Sequence, residues 1–181
     1  MTKFYLPGIR NSAFANAINS TLSYIHSLQW SGACHAVSSV LYVVFSELGY
    51  DTKLCIGECK APNTKVFDHS WITIEGKIVD LAISKPLDPN MYISGPVVLD
   101  IDIETGENHR IQYGVSFVGL SMEAANVYKR SFVEYMDGYP DRLNGLWDVV
   151  NDILPKPTDI GVLREKYRDT KRIFVTEEKY H

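Results

Sequence analysis

Three residues of this chain have the chemical types needed for nucleophilic catalysis: Cys34, His69 and Asp80. A thiol becomes a strong nucleophile when a base removes its proton, and the imidazole of histidine titrates in the right range to act as that base. A carboxylate can then orient the imidazole and stabilise its charged form. We therefore predict a triad of these three side chains, on the condition that local structure brings them together.

A predicted β-hairpin would position His69 and Asp80. Residues 69–74 and 77–82 have strand character and flank Glu75-Gly76, a typical turn pair. If the turn has an even number of residues, His69 and Asp80 point to one face as diagonal neighbours, roughly 7–8 Å apart at Cα. An odd turn would send Asp80 to the other face. The even turn is favoured because it also gathers four apolar side chains on the opposite face: Ile72, Ile74, Val79 and Leu81.

A predicted central helix would position Cys34. Residues 33–48 are apolar on almost every side, which is typical of a helix buried in the middle of a fold. Ser31 is the candidate N-cap, so Cys34 falls in the first turn. There the helix dipole favours a thiolate, and unpaired backbone N–H groups can stabilise an oxyanion. Gln29 or Trp30, just upstream, is the candidate for a second oxyanion donor.

Other residues are expected to complete the site. Trp71 shares the face of His69 and is predicted either to shield the site from water or to belong to the core. His35 points elsewhere on the helix and is interpreted as a surface or supporting residue. The walls of a substrate pocket are predicted from the loop at residues 60–67, the proline-containing segment 84–96 and the C-terminal helices.

The remaining pattern predicts an α+β fold. It contains an N-terminal helix over 11–28, a strand over 52–56 and a second antiparallel pair over 97–103 and 110–120. Helices are expected over 121–136 and 140–153, with a charged helical piece after Pro157. We predict one domain over residues 1–181, with its core at about 30–120 and a helical C-terminal extension over 121–181. The buried nucleophile helix would pack on an antiparallel sheet.

Composition excludes several classes of function. The net charge of −4 argues against a nucleic-acid partner, and no segment is apolar enough to indicate a membrane span. Three irregularly spaced cysteines and an N-terminus without a signal-peptide pattern predict reduced thiols in the cytoplasm. A late group of basic residues alternates with acids and is interpreted as a solvated helix face: Arg164, Lys166, Arg168, Lys171 and Arg172.

These motifs resemble those of the transglutaminase-like superfamily, which includes arylamine N-acetyltransferases and bacterial transglutaminase-like peptidases and is a circularly related cousin of papain. Ser-Gly-Ala-Cys-His at residues 31–35, continuing to Leu-Gly-Tyr at 48–50, resembles its nucleophile helix. His-Ser-Trp-Ile at 69–72 and Lys-Ile-Val-Asp at 77–80 look like its His strand and Asp strand. The resemblance spans about residues 30–83. It departs from the acetyltransferases, which usually carry Arg-Gly-Gly before the cysteine.

The resemblance implies a papain-like or transglutaminase-like core in which Cys34 is the nucleophile, His69 the general base and Asp80 the orienting carboxylate. The implied activity is acyl chemistry on an amide or ester through a thioester, most simply hydrolysis of the peptidase or amidase type. Transfer to an amine and a non-catalytic binding module with the same fold are the alternatives. The expected partner is a peptide or a small amide or ester. Nothing in the sequence defines the oligomeric state.

A third alternative is a zinc-stabilised interaction protein. Cys55 and Cys59 form a C-x₃-C spacing to which His69 could add a ligand. The sequence offers no second Cys or His pair, which structural zinc sites generally need. We therefore predict neither a metal site nor a cofactor.

Overall fold

The computed structural model describes residues 11–28 and 30–177, which form an α+β fold. Within these residues the helices are α1 (Ser12–Ser27), α2 (Cys34–Glu47), α3 (Met122–Lys129), α4 (Phe132–Asp137), α5 (Leu146–Ile153) and α6 (Ile160–Lys166). The strands are β1 (Thr52–Lys60), β2 (Phe67–Ile74), β3 (Lys77–Asp80), β4 (Val97–Val98), β5 (Ile101–Asp102), β6 (Gln112–Val115) and β7 (Ile173–Val175). The predicted α+β class is confirmed.

One curled sheet of seven strands carries the site. Its order is β5-β4-β3-β2-β1-β6, and β7 also pairs with β1. All pairings are antiparallel except the parallel one between β1 and β7. Gly57 in β1 is required by this last pairing, because a Cβ atom there would lie 2.5 Å from the backbone oxygen of Val175. The last strand therefore returns the chain to the centre of the sheet.

Helix α2 is buried in the middle of the structure, as its apolar composition predicts. Val43, Val44 and Phe45 are completely inaccessible, and the helix packs against β1, β2 and α5. Burial of each such side chain contributes about 1.5–3 kcal/mol. Helix α1 lies beside α2 and begins after Asn11, whose side chain accepts from the backbone of Ala13 and Phe14. This packing fixes the direction in which the first turn of α2 points.

The predicted hairpin is confirmed with its even register. Ile72 pairs with Val79, Thr73 with Ile78 and Ile74 with Lys77. Glu75 and Gly76 form the turn with φ values of 51° and 78°, a left-handed pair that matches the twist of the two strands. The four predicted apolar residues of one face are buried in the main core.

The predicted second hairpin is wrong. Residues 97–103 do not form one long strand, because Leu99 and Asp100 adopt φ values of 51° and 71° and fold β4 tightly onto β5. Strand β6 pairs with β1 instead, and the described residues after Val115 leave the strand. The carboxylates of Asp100 and Asp102 both accept hydrogen bonds. Oδ1 of Asp100 accepts from the backbone N–H of Ile78. Asp102 is buried and accepts from the Ser94 hydroxyl and from the backbone N–H of Glu104.

The C-terminal part also differs from its prediction. Residues 121–136 form two helices, because the chain is extended at Arg130 and Ser131 caps a new helix with its side chain. Residues 173–175 form a strand of the sheet. Arg172 is buried rather than solvated: it lies over the Tyr135 ring and donates to Ser39 of α2. Within the described residues, no helix combines the length and apolar character needed to cross a bilayer.

Candidate active site

His69 and Asp80 form a buried pair on the hairpin. Nε2 of His69 lies 2.7 Å from Oδ2 of Asp80, and the two residues are 6% and 2% exposed. The even register of β2 and β3 brings these side chains to one face, as the sequence predicts. A carboxylate at this distance holds the imidazole in one orientation and leaves Nδ1 as the nitrogen for a second partner.

Asp80 is held by two further donors. The hydroxyl of Tyr113 donates to Oδ2 at 2.8 Å, and the backbone N–H of Ile83 donates to Oδ1 at 3.2 Å. Burial and the adjacent carboxylate raise the pKa of Tyr113 well above its ordinary value, so the phenol remains a donor. No local pattern in the sequence assigns Tyr113 to the site. It lies on β6, whose pairing with β1 is a long-range contact that no local pattern announces.

Cys34 is the first residue of α2, where the sequence analysis expects it. Gly32 precedes it in a left-handed conformation with φ 67°, and its N–H donates to the carbonyl of Lys85. The predicted cap is wrong: Ala33 occupies the N-cap position, and no side chain caps α2. Backbone N–H groups of the first turn have no partner within the helix, so they remain available beside the thiol. Cys34 itself is half-buried and packs against the main core.

The thiol and the imidazole stabilise each other's charged forms. Burial raises the pKa of Cys34, but the charge of His69 and hydrogen bonds with His35 and His69 outweigh this effect and lower the pKa to about 5. Burial lowers the pKa of His69, but the charges of Asp80 and Cys34 and the hydrogen bonds to both raise it to about 10. These opposite shifts favour a thiolate–imidazolium pair at neutral pH.

His35 lies at the site, although the sequence analysis assigned it no catalytic function. Its Nδ1 is 2.6 Å from Oγ of Ser70, and its side chain is close enough to Cys34 to help lower the pKa of the thiol. Ser70 follows His69 on β2, so this strand both carries one of the two imidazoles and supplies the hydrogen-bond partner of the other. The adjacency of His35 to Cys34 was the only signal in the sequence, and it did not reveal the bond to Ser70.

The predicted oxyanion and shielding residues have different outcomes. Gln29 lies outside the described residues. Trp30 does not offer its backbone N–H, which donates to the carbonyl of Ile25, and its indole packs in a T-shaped contact on the Tyr139 ring. The oxyanion prediction for Trp30 is therefore wrong: the residue is 8% exposed and belongs to the main core. Trp71 is 2% exposed and packs on Tyr113, with ring centroids 4.8 Å apart. It belongs to a second buried hydrophobic cluster, which is the core alternative of its prediction.

A cavity of about 850 Å³ opens beside Cys34, His35 and His69. Its walls come from residues 63–68 and 82–93 and from the start of α3. Residues of both segments that the sequence predicts as walls of a substrate pocket line this cavity. Leu87 packs on Gly32, where an added Cβ would lie 3.0 Å from its Cδ1 atom, so one wall adjoins the loop that precedes the thiol.

The other two cysteines do not join the site as reactive groups. Burial raises the pKa of Cys55 to about 11, and burial together with the charge of Asp80 raises the pKa of Cys59 further. Both side chains pack with Trp71 in a second hydrophobic cluster. Across residues 11–28 and 30–177, no three His, Cys, Asp or Glu side chains are grouped in a way that would hold a metal ion.

The arrangement of a half-buried thiol, two imidazoles and a buried carboxylate is chemically suited to attack on a carbonyl. A charged pair of this kind could supply a nucleophile and a proton donor, and N–H groups in the first turn of a helix could stabilise negative charge on oxygen. No protein-family model matches this chain, and no curated protein or solved structure matches it.

Proposed function

We propose that the protein is a cysteine hydrolase of amides or esters, with Cys34 as nucleophile, His69 as general acid and base and Asp80 as the orienting carboxylate. The observation that carries the proposal is the buried hydrogen bond between His69 and Asp80 at a cavity of about 850 Å³ that Cys34 also lines, with the thiol and the imidazole close enough to shift each other's pKa. A structural cysteine would have no need of a buried imidazole–carboxylate pair.

The first half of the reaction forms a thioester. The Cys34 thiolate attacks the substrate carbonyl carbon, and the π electrons of the carbonyl move to its oxygen. Backbone N–H groups at the start of α2 stabilise this oxyanion. When the intermediate collapses, the bond to the leaving nitrogen or oxygen breaks, and the imidazolium of His69 gives that atom its proton.

The second half restores the enzyme. Neutral His69 takes a proton from water, and the oxygen of that water bonds to the thioester carbonyl carbon. Collapse of the second intermediate breaks the carbon–sulfur bond and releases a carboxylic acid. The thiolate and imidazolium are regenerated, so the net reaction is the addition of one water across the amide or ester. An amine in place of water would give transfer, which is the alternative outcome of the same thioester.

The fold is compatible with the proposed papain-like or transglutaminase-like core. A nucleophile on the first residue of a buried helix and a His–Asp pair on an adjoining antiparallel hairpin follow one another in the chain order that the resemblance implies. Helix α2 packs directly on β2, so the helix that carries Cys34 and the hairpin that carries His69 and Asp80 lie against each other. The rival proposal, a binding module without catalysis, predicts a thiol with an ordinary pKa of about 8.5.

The proposal can be tested by trapping the thioester. The purified protein would be mixed with p-nitrophenyl acetate at neutral pH, quenched in acid and examined by mass spectrometry for an acetyl group on Cys34. We expect rapid acetylation in the parent and in a Cys55→Ala control, and none at this position in Cys34→Ala. Equal release of p-nitrophenolate by the parent and Cys34→Ala would contradict the proposal.

A further inference from the structure

The cavity beside Cys34 has an apolar floor and a charged rim. Ala82, Ile83 and Ala124 are at most 5% exposed and lie in the cavity floor, whereas Lys65, Asp88 and Glu123 are exposed at its edge. Its remaining apolar lining includes Val66, Phe67, Pro86, Leu87, Met91 and Ile93. A group that enters beyond the rim therefore exchanges water for carbon surface.

This distribution determines what kind of substrate group can enter. A charged or strongly polar group would lose its hydration against these apolar side chains, and the further charged residues of the lining, Asp68 and Lys85, are themselves only half-buried. An apolar group gains roughly 25 cal/mol for each Å² of surface removed from water. The volume of about 850 Å³ falls in the range of pockets that enclose drug-sized ligands, so an acetyl group would leave most of it unfilled.

We infer that the cavity is an acyl-binding pocket that selects substrates with a large apolar acyl group. The inference rests on the proposed function, because the thiolate of Cys34 must attack the carbonyl that this group carries. The chemistry is shared by a hydrophobic amino-acid residue on the acyl side of a peptide bond and by a medium-length fatty acyl chain. The rim charges have mixed sign, so they give no strong preference for the charge of the leaving group.

Two series of p-nitrophenyl esters would test the inference and distinguish the two sources. One series is acetate, butyrate, hexanoate and octanoate; the other is the N-acetyl esters of glycine, leucine, phenylalanine and glutamate. In each case the acyl carbon moves from the phenolic oxygen to the Cys34 sulfur, p-nitrophenolate leaves, and water then cleaves the thioester. Each methylene that fills a complementary pocket raises the relative rate by roughly tenfold or more. The hexanoate ester should therefore acylate Cys34 at least about tenfold faster than the acetate ester. If the source is a peptide, the leucine and phenylalanine esters should react faster than the glycine and glutamate esters.

Two variants of the wall would locate the selectivity. Val66→Thr keeps the side-chain shape but places a hydroxyl in the wall, and Met91→Gln introduces an amide. Each is expected to reduce the preference for hexanoate over acetate severalfold. The matched control is Val162→Thr on the exposed side of α6, where Val162 is 57% exposed and does not line the cavity.

The outcomes separate failure of the inference from failure of the proposed function. If Cys34 is acylated but acetate and glycine react as fast as the larger apolar esters, the inference is wrong and the proposed function stands. An unchanged preference in both wall variants would also overturn it. If no ester of either series acylates Cys34, both proposals fall.

Discussion

Tyr113 donates its hydroxyl to Oδ2 of Asp80, the same oxygen that accepts from Nε2 of His69. The two donors come from different strands, β6 and β2, which both pair with β1. One carboxylate oxygen therefore joins the hairpin to the far side of the sheet. This bond restrains Asp80 independently of His69, and it explains why a tyrosine hydroxyl is directed toward the site.

The first prediction concerns this bond. Tyr113→Phe removes the hydroxyl and leaves a carboxylate that is 2% exposed with one fewer donor. Hydrogen bonds to charged groups contribute about 1.5–3 kcal/mol, so we expect the free energy of unfolding to fall by about that amount. Urea denaturation followed by circular dichroism would measure it. Tyr92→Phe is the matched control, because Tyr92 also donates to a carboxylate but is 67% exposed. Equal effects of the two changes would show that burial of Asp80 has no energetic consequence.

The second prediction is the pH range of activity. The pKa of Cys34 is lowered to about 5 and that of His69 raised to about 10, so the charged pair should persist between these values. Alkylation of Cys34 by iodoacetamide should rise as pH increases through about 5, because the thiolate forms there. Ester hydrolysis should follow the same rise and decline above about 10, where His69 loses the proton that it gives to the leaving group. A first rise of alkylation near pH 8.5, the ordinary thiol value, would contradict the charged pair.

The third prediction compares the two histidines beside the thiol. The charge of His69 is the largest factor lowering the pKa of Cys34, and the hydrogen bond with His35 comes next. His69→Gln should therefore move the onset of Cys34 alkylation upward toward about 8.5 and reduce hydrolysis by about 10²–10⁴-fold. His35→Gln should move the onset by less and preserve more activity. Peptide-resolved mass spectrometry at several pH values would give both onsets, and a larger shift in the His35 variant would reverse their assigned importance.

The parts of the site that local sequence determines were predictable. Helix α2 follows from its apolar run, and the hairpin follows from Glu75-Gly76 and from the apolar face that only an even register creates. Cys34, His69 and Asp80 were found in this way. Their placement in one site can be predicted without the rest of the sheet. Strands β2 and β3 are consecutive in the chain, and α2 packs directly on β2.

The features that depend on distant contacts were missed or wrong. Tyr113 reaches Asp80 only through the pairing of β6 with β1, and the alternation of residues 97–103 concealed a turn at Leu99 and Asp100. Both turn residues have positive φ without being glycine, so composition gave no signal. The charged neighbours of Arg172 in sequence predict a solvent-exposed side chain. In the structure this side chain contacts Ser39 and two aromatic rings on other elements.

Glu58 is a further residue whose function is visible only in the folded chain. It lies in β1, is 3% exposed, and accepts three backbone hydrogen bonds: from Phe117 and Gly119 at Oε2 and from Val118 at Oε1. Burial raises the pKa of Glu58, but these three N–H groups outweigh it and hold the pKa below its ordinary value. The carboxylate thereby fixes the loop that leads from β6 to α3, the helix whose start lines the cavity.

The fourth prediction is that Glu58→Gln destabilises the protein in a pH-dependent way. The amide keeps one acceptor oxygen but places an NH₂ group against a backbone donor, so we expect a loss of about 1–3 kcal/mol at pH 7. Because the folded-state pKa is depressed, the contribution of Glu58 is present above its unfolded pKa of about 4.3 and is lost as pH falls through the folded value. The gap between parent and variant in urea denaturation should therefore narrow in acid. Glu107→Gln is the control, since Glu107 is exposed and its ion pair with Arg110 contributes little. A gap that stays constant with pH would show that the charge of Glu58 does not hold the loop.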